Sequence, residues 1–304
     1  MKKQEPSIKK INSVKELHTF IGIASPLNPL ITIIDHFKTT TNSETNNQKL
    51  VLDFYNISIK KSFKGRLLYG KSKYDFDEGT MSFLAPNQVI TVDNNDERNN
   101  IGWSLLFHPD LIRNYPLAKT IKNYGFFSYE VNEALHLSDE EERIIENSIQ
   151  NIQKEINSRL DNFSHAVIVS NIELLLSYCN RFYNRQFITR KMATDDLLIN
   201  FENVLENYFS DKSDAKLPTV EIVASELKVS SAYLSDMLRS LTGQNTQQHI
   251  HDKLIEKAKD ILTTTNLSIS EIAYQLGFEY PQSFSKLFKN KTSKTPLQYR
   301  QSFN

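Results

Sequence analysis

The sequence predicts an α+β multidomain protein with a β-rich N-terminal region, a helical middle segment and an all-α C-terminal domain. Three observations carry this prediction. Short apolar runs between turn residues occupy positions 31–107. Apolar residues at helical spacing take over from about Leu137. One helical unit then occurs twice within residues 217–303. A chain of 304 residues holds two or three domains, and the expected divisions are 1–130, 131–210 and 211–304. Hydrophobic content is 39%, with 36 Lys and Arg against 36 Asp and Glu, as in a folded soluble protein.

The N-terminus carries Lys2, Lys3, Lys9 and Lys10 with no apolar core behind them, and no run approaches the length of a membrane span. No signal peptide, no membrane helix and a cytoplasmic location are therefore expected. Strand-like runs follow at 31–34, 50–55, 57–60, 66–69, 80–84, 89–92 and 103–107. Turn signals separate them: Lys64-Gly65, Glu78-Gly79, Ala85-Pro86-Asn87 and Asp93-Asn94-Asn95. Many short strands at this spacing predict a small barrel or jelly roll. Its aromatic residues, among them Phe54, Tyr55, Phe83 and Trp103, line a pocket or fill a core.

The middle segment opens with Ser138-Asp139-Glu140-Glu141, a capping pattern at a helix start. Ile144, Ile145, Ile149, Ile152 and Ile156 fall on one face of that helix. A second helix, 162–182, is apolar on most faces. It contains the single cysteine, Cys179, read as a buried thiol in a reducing compartment. A third helix covers 195–209, and the polar run 211–216 reads as a linker. A near-continuous apolar helix needs a partner surface, so these helices are expected to form a homodimer.

The C-terminal repeat is explicit. Val220, Val223, Ala224, Leu227, Val229, Leu234, Ser235 and Leu238 recur as Ile269, Ile272, Ala273, Leu276, Phe278, Phe284, Ser285 and Phe288. The offset is 49 up to Val229 and 50 from Leu234 onward. Each copy reads as a helix, a tight turn and a second helix, the pattern of a helix-turn-helix. Both copies place Ala where the helices cross. Gly277 suits a left-handed turn, whereas Lys228 stands there in the first copy, predicting a less ideal turn. Pro281 suits a first helical turn. The second reading helix is expected over 281–291, with Phe284, Leu287 and Phe288 inward. Its outer face carries Gln282, Ser283, Ser285, Lys286 and Lys289, residue types that pair with base edges and phosphates. From Ser213 onward eleven Lys and Arg face nine Asp and Glu. From Tyr280 onward there are Lys286, Lys289, Lys291, Lys294 and Arg300 and no acid, an electrostatic footprint for DNA. An amphipathic helix over 246–263 separates the copies. It would let one chain reach successive major-groove faces roughly 34 Å apart.

Residues Ser270-Glu271-Ile272-Ala273, Leu276-Gly277-Phe278, Phe284-Ser285-Lys286-Leu287-Phe288-Lys289, Thr295-Pro296 and Tyr299-Arg300 make this segment resemble the DNA-binding domain of the AraC/XylS family of bacterial transcription regulators. The resemblance covers 217–303. It implies seven helices, the third and sixth in the major groove, so that the reading helices are 231–241 and 281–291. Carried over by position, base contacts fall on Ala232 and Asp236, and on Gln282 and Lys286 with Ser283 beside them. Tyr233, Ser235, Arg239, Tyr280 and Lys289 complete the candidate DNA-contacting set. Two departures stand out. Asp236 occupies a position that is often basic or polar in the family, which leaves Arg239 as the phosphate anchor of the first helix. Ser293 stands where the family usually has Gly. The resemblance also makes a cupin-like barrel the expected form of the β-rich region.

The expectation is a sequence-specific, DNA-binding transcription regulator, an activator controlled by a small-molecule effector at the N-terminal domain. Its expected partners are double-stranded DNA, a second copy of the chain, and RNA polymerase. The effector site is left open. A regulator without an effector is the alternative, and a metal-dependent cupin enzyme the more distant one. The barrel region holds only His36, with His108 just after it, and His249 and His251 point apart on a helix. No metal site assembles from these, and no phosphate loop or nucleophile elbow is present. No catalytic residue, metal or cofactor is therefore expected.

Overall fold

The computed structural model describes residues 8–38, 49–61, 68–69, 72–73, 79–91, 101–129, 133–159, 161–189, 191–210 and 217–303. The expected linker 211–216 and the turns at 64–65 and 93–95 lie outside them. The chain divides into two compact units, Met1–Gln186 and Phe187–Asn304.

The first unit contains β1 (Lys9–Ile11), α1 (Val14–Ile21), β2 (Ile31–Asp35), β3 (Lys49–Leu52), β4 (Tyr55–Lys61), β5 (Leu68–Tyr69), β6 (Ser72–Lys73), β7 (Thr80–Leu84), β8 (Val89–Thr91) and β9 (Ile101–Phe107). It continues with α2 (Leu117–Thr120), β10 (Leu135–His136), α3 (Asp139–Asn157) and most of α4 (Ser164–Thr189). The expected run 50–55 splits at Asp53-Phe54, because β3 and β4 belong to different sheets. A five-stranded antiparallel sheet has the order β10-β7-β4-β9-β2, and a three-stranded sheet the order β1-β3-β8. Closure would pair every edge. Among the described residues no pairing joins the two sheets, so the strands make open sheets and not a closed barrel.

The sheets still share a core. Ile34 and Leu106 of the larger sheet cluster with Ile11 and Leu52 of the smaller one, with Phe54, and with Val14 and Leu17 of α1. Alternation puts Asn56, Ser58, Ser82, Ser104 and Leu106 on this same face, since Asn56 pairs with Leu106, and Ser58 with both Ser82 and Ser104. The opposite face is apolar: Ile57, Ile59, Met81, Phe83, Leu105 and Phe107 are all buried.

That apolar face is covered by rings and by α4. Tyr183 stacks on Phe126 and meets Phe83. Helix α4 runs seven residues past its expected end at 182 because its last turns cap the edge strand β10. Gln186 Oε1 accepts from the His136 amide at 2.8 Å, and its Nε2 donates to Ala134 O at 3.1 Å. Arg185 donates to His136 O at 2.7 Å and to Glu141 Oε2 at 2.5 Å. An edge strand satisfied this way is closed to further pairing. Most of the apolar surface of α4 is thus met inside its own unit, where Ile168, Ile172, Leu175, Leu176 and Phe182 are buried. Cys179 is fully buried, and that burial pushes its thiol well above the ordinary range. The capping box of α3 forms as expected, from Ser138 and Glu141. No described helix is long and apolar enough to cross a membrane.

The second unit holds α5 (Lys191–Ser210), α6 (Val220–Glu226), α7 (Ser231–Thr242), α8 (Thr246–Thr264), α9 (Ile269–Gln275), α10 (Pro281–Thr292) and α11 (Pro296–Gln301). Helix α5 packs here: Phe201 is buried and meets His249 edge-on, and Lys253 pairs with Glu206. Among the described residues six helices lie within 217–303, and with α5 counted before them there are seven, the third α7 and the sixth α10. The bounds of α7, α8 and α10 each lie within one residue of those expected from the sequence.

Ala273 has no exposed surface and lies in one cluster with Phe278, Phe284 and Phe288. Ala273→Leu should therefore overpack the crossing and destabilise the unit by about 1–3 kcal/mol. A thermal melt of the variant tests this; an unchanged midpoint would contradict a close crossing there.

Candidate nucleic-acid interface

The two copies agree hydrogen bond by hydrogen bond. In the first turn the Val229 amide donates to Ala224 O at 3.1 Å and the Lys228 amide to Ser225 O at 3.1 Å. In the second the Phe278 amide donates to Ala273 O at 2.9 Å and the Gly277 amide to Tyr274 O at 3.0 Å. These bonds require a left-handed residue after the first helix. Gly277 supplies it with φ 85° and Lys228 with φ 57°. Helices α7 and α10 also end left-handed, at Gly243 (φ 79°) and Ser293 (φ 61°). Each copy thus places glycine at one of its two left-handed positions and a residue with a Cβ at the other.

The repeat continues further than the apolar positions show. Thr242 and Thr292 each donate to the carbonyl four residues back, at 2.8 Å in both copies. Asn245 with Gln248, and Thr295 with Gln298, form capping boxes at the starts of α8 and α11. The pairs 242/292, 245/295 and 248/298 keep the offset of 50. Beyond Leu238 and Phe288 the match is carried by polar residues, which apolar spacing does not show.

Position by position, the outer faces of α7 and α10 differ. Ala232 corresponds to Gln282, Tyr233 to Ser283, Asp236 to Lys286 and Arg239 to Lys289. On α10 the side chains of Gln282, Ser283, Lys286 and Lys289 are exposed, with Tyr280 before them 62% exposed. Among the described residues neither Lys286 nor Lys289 forms an ion pair. On α7 the surroundings are fuller. Arg239 donates to Asp236 at 2.7 Å. The Ser235 hydroxyl lies 3.0 Å from that of Thr246, and the Tyr233 ring sits edge-on to Phe187 at 5.2 Å. Ala232 is half-buried. The outer face of α10 therefore offers two free cations, where that of α7 offers a cation beside its own counter-ion.

The basic cluster seen after Tyr280 also divides. Lys291 donates to Asp252 at 2.5 Å, and Arg300 Nε donates to Leu262 O at 3.1 Å, where it caps the end of α8. Both are tied into the domain. His249 and His251 are held below the ordinary imidazole range by burial, with Lys291 adding to the effect at His251. The ring of His249 meets Thr242 Oγ1 at 2.7 Å. Among the described residues no three His, Cys, Asp or Glu side chains converge as a metal site requires.

The family described as "Helix-turn-helix domain" matches residues 223–302. Over 130 residues, 41% of this chain, the sequence is 30% identical to the histidine kinase P4 of Formosa agariphila, and the match covers 9% of that protein. Over 141 residues, 46% of this chain, it is 30% identical to the HTH-type transcriptional regulator YfiF of Bacillus subtilis, covering 42% of it. Over 81 residues, 27% of this chain, it is 33% identical to the regulatory protein SoxS of Salmonella typhimurium, covering 76% of it. The chain thus spans less than half the length of the first two relatives.

Two expected outcomes follow from this geometry. Lys228→Gly and Ser293→Gly should each stabilise the domain by about 1 kcal/mol, since a left-handed conformation costs a residue with a Cβ roughly that much; denaturant titration reads the change. On DNA, Lys286→Ala should cost about 1–3 kcal/mol at a specific site, and Lys289→Ala should flatten the salt dependence by about one. Arg239→Ala should flatten it less, because Asp236 already neutralises that guanidinium. Equal slopes for the Lys289 and Arg239 variants in gel shifts at several salt concentrations would contradict the asymmetry.

Proposed function

The chain belongs to the AraC-type helix-turn-helix family of transcription regulators, and on that premise we propose that it reads DNA sequence with α7 and α10 together and regulates transcription in response to a small molecule. The observation that carries the reading is the pair of turns with matching hydrogen bonds, each presenting a helix of the same length, one with Gln282, Ser283, Lys286 and Lys289 exposed. Gln reads adenine edges, Lys reads guanine or phosphate, and Ser accepts or donates to either. The α10 face supplies most of the affinity. Ala232, Asp236 and Arg239 on α7 add discrimination, with the Asp236 carboxylate able to accept from a cytosine amino group.

In this reading the first unit senses the effector. The face shared by the two sheets supports it, because polar groups stand there among apolar ones. Ser82, Ser58 and Ser104 lie opposite one another across three strands. His36 Nε2 meets Ser104 Oγ at 2.7 Å, and Asn56 Oδ1 is buried with no hydrogen-bond partner among the described residues. A buried carbonyl oxygen without a donor is costly, and a ligand hydroxyl or amide would satisfy it. A cupin-like form is proposed for this unit.

The protein acts as a homodimer and an activator, the latter through RNA polymerase. The dimer reading rests on the part of α4, with Phe163 just before it, that its own unit leaves open. Phe163 is 73% exposed, Val167 41% and Leu174 49%. A two-fold axis between Ser170 and Asn171, with the helices antiparallel, sets Val167 against the partner's Leu174 and Phe163 against the partner's Tyr178. A self-complementary patch of this kind is what an isologous contact needs.

The test uses the full chain. Sedimentation equilibrium should give a dimer at micromolar concentration for wild type and a monomer for Leu174→Glu. The monomeric variant should bind a genomic target, identified by footprinting with wild type, about 100-fold more weakly, because linkage of two readers raises effective concentration. A monomeric wild type, or equal affinities, would remove the dimer from the proposal. Failure of wild type to protect any genomic site would remove DNA reading itself.

A further inference from the structure

We propose that Asp252 is a positioning residue that fixes the spacing between the two reading helices on DNA. The proposal rests on the reading that α7 and α10 engage DNA together.

Asp252 lies on α8, the helix that joins the two copies. Its two carboxylate oxygens point to different copies. Oδ2 accepts from Gln244 Nε2 at 3.0 Å, and Oδ1 accepts from Lys291 Nζ at 2.5 Å. Gln244 follows Gly243, the left-handed residue that ends α7, and Lys291 sits in the last turn of α10. One carboxylate thus holds the C-terminal ends of both reading helices.

The tie is not part of the repeated unit. At the offset of 50, Lys291 corresponds to Leu241 and Gln244 to Lys294. Neither substitution could reproduce the contact in the other copy. The contact therefore serves the relation between copies, whereas the caps and turns they share serve each hairpin. Asp252 and Lys291 are both part-exposed, at 41% and 30% of their side chains, so the pair adds little to overall stability. What it restricts is the rotation of α10 about α8, and with it the distance and phase at which α10 meets DNA relative to α7.

Electrostatics alone makes the opposite prediction. An acid in a DNA-binding domain repels phosphate, and removing it while freeing Lys291 should tighten binding to any duplex. A positioning role predicts that specific binding weakens although the domain becomes more basic. The sign separates the two.

The experiment uses the full chain and a duplex that wild type enriches from a randomised pool. A second duplex carries one added base pair between the two half-motifs, and a third has random sequence. Wild type should bind the second duplex far more weakly than the first. Asp252→Ala should bind the first about tenfold more weakly than wild type does and should lose most of the discrimination between first and second. Its binding to the random duplex should be unchanged or tighter. Lys291→Met should lose the same discrimination, and the double variant should lose no more than either single one. Circular dichroism melts confirm that all variants fold. If Asp252→Ala keeps the wild-type ratio between the first two duplexes, or tightens binding to all three alike, the proposal is overturned. If wild type enriches no duplex, the reading of joint DNA engagement is what fails.

Discussion

The close crossing of two short helices at Ala224, and again at Ala273, is the constraint on which the second unit depends. Helices of seven residues are too short to hold themselves together in water, so they need contact with the next helix. A side chain larger than a methyl at the crossing would push the reading helix outward. The turn that follows must then reverse the chain within a few residues, which fixes a left-handed residue and the backbone bonds to Ala224 O and Ala273 O. From that point α7 and α10 are aimed, and the outer residues inherit their direction. The apolar cluster from Leu254 to Phe288 holds the second copy on α8. The side chains that face solvent are thereby free to vary without disturbing this packing.

Given a common scaffold, the copies have diverged in what they present. Position for position, Asp236 and Arg239 stand where Lys286 and Lys289 stand fifty residues later. The first pair satisfies itself, whereas among the described residues the second forms no ion pair. In the proposed reading, net attraction to the polyanion is concentrated on one helix, and the other refines the choice of sequence. The backbone has diverged in a complementary way. Glycine eases the turn in one copy and the helix end in the other, so neither hairpin is free of strain and neither has it at both places.

Much of this was legible in the sequence, for reasons that can be named. The second unit reads well because three of its helices, α7, α8 and α10, run twelve to nineteen residues, long enough for an apolar period to register. Repetition then doubles every signal. The match at Thr242 and Thr292 was missed because it is polar, and apolar alignment alone does not see it. The first unit reads less well. Strand β1 has three residues and β10 two, too few for alternation to show. Helix α1 was overlooked although Ser13 and Glu16 spell a cap, with the Glu16 amide donating to Ser13 Oγ at 3.2 Å. The apolar run of α4 suggested a partner chain, but most of it meets its own sheet, and only a tertiary structure could show that. At the interface, the exposed set on α10 was readable from helical spacing. The engagement of Ser235 by Thr246 and of Lys291 by Asp252 was not, because both partners lie on another helix.

The sole cysteine gives the first unit a chemical clock. Cys179 is buried on every side within α4, and its thiol is held in the neutral form by that burial. A neutral thiol that solvent cannot reach is inert toward disulfides and alkylating agents, because the thiolate is the reacting species. Labelling at this position therefore has to wait for α4 to lift from the strands it covers. Its rate reports the opening of that one element, undiluted by any second sulfhydryl in the chain. Whatever tightens the ring cluster around Tyr183 and the bond between Gln186 and the β10 edge would slow the clock, and whatever loosens them would speed it.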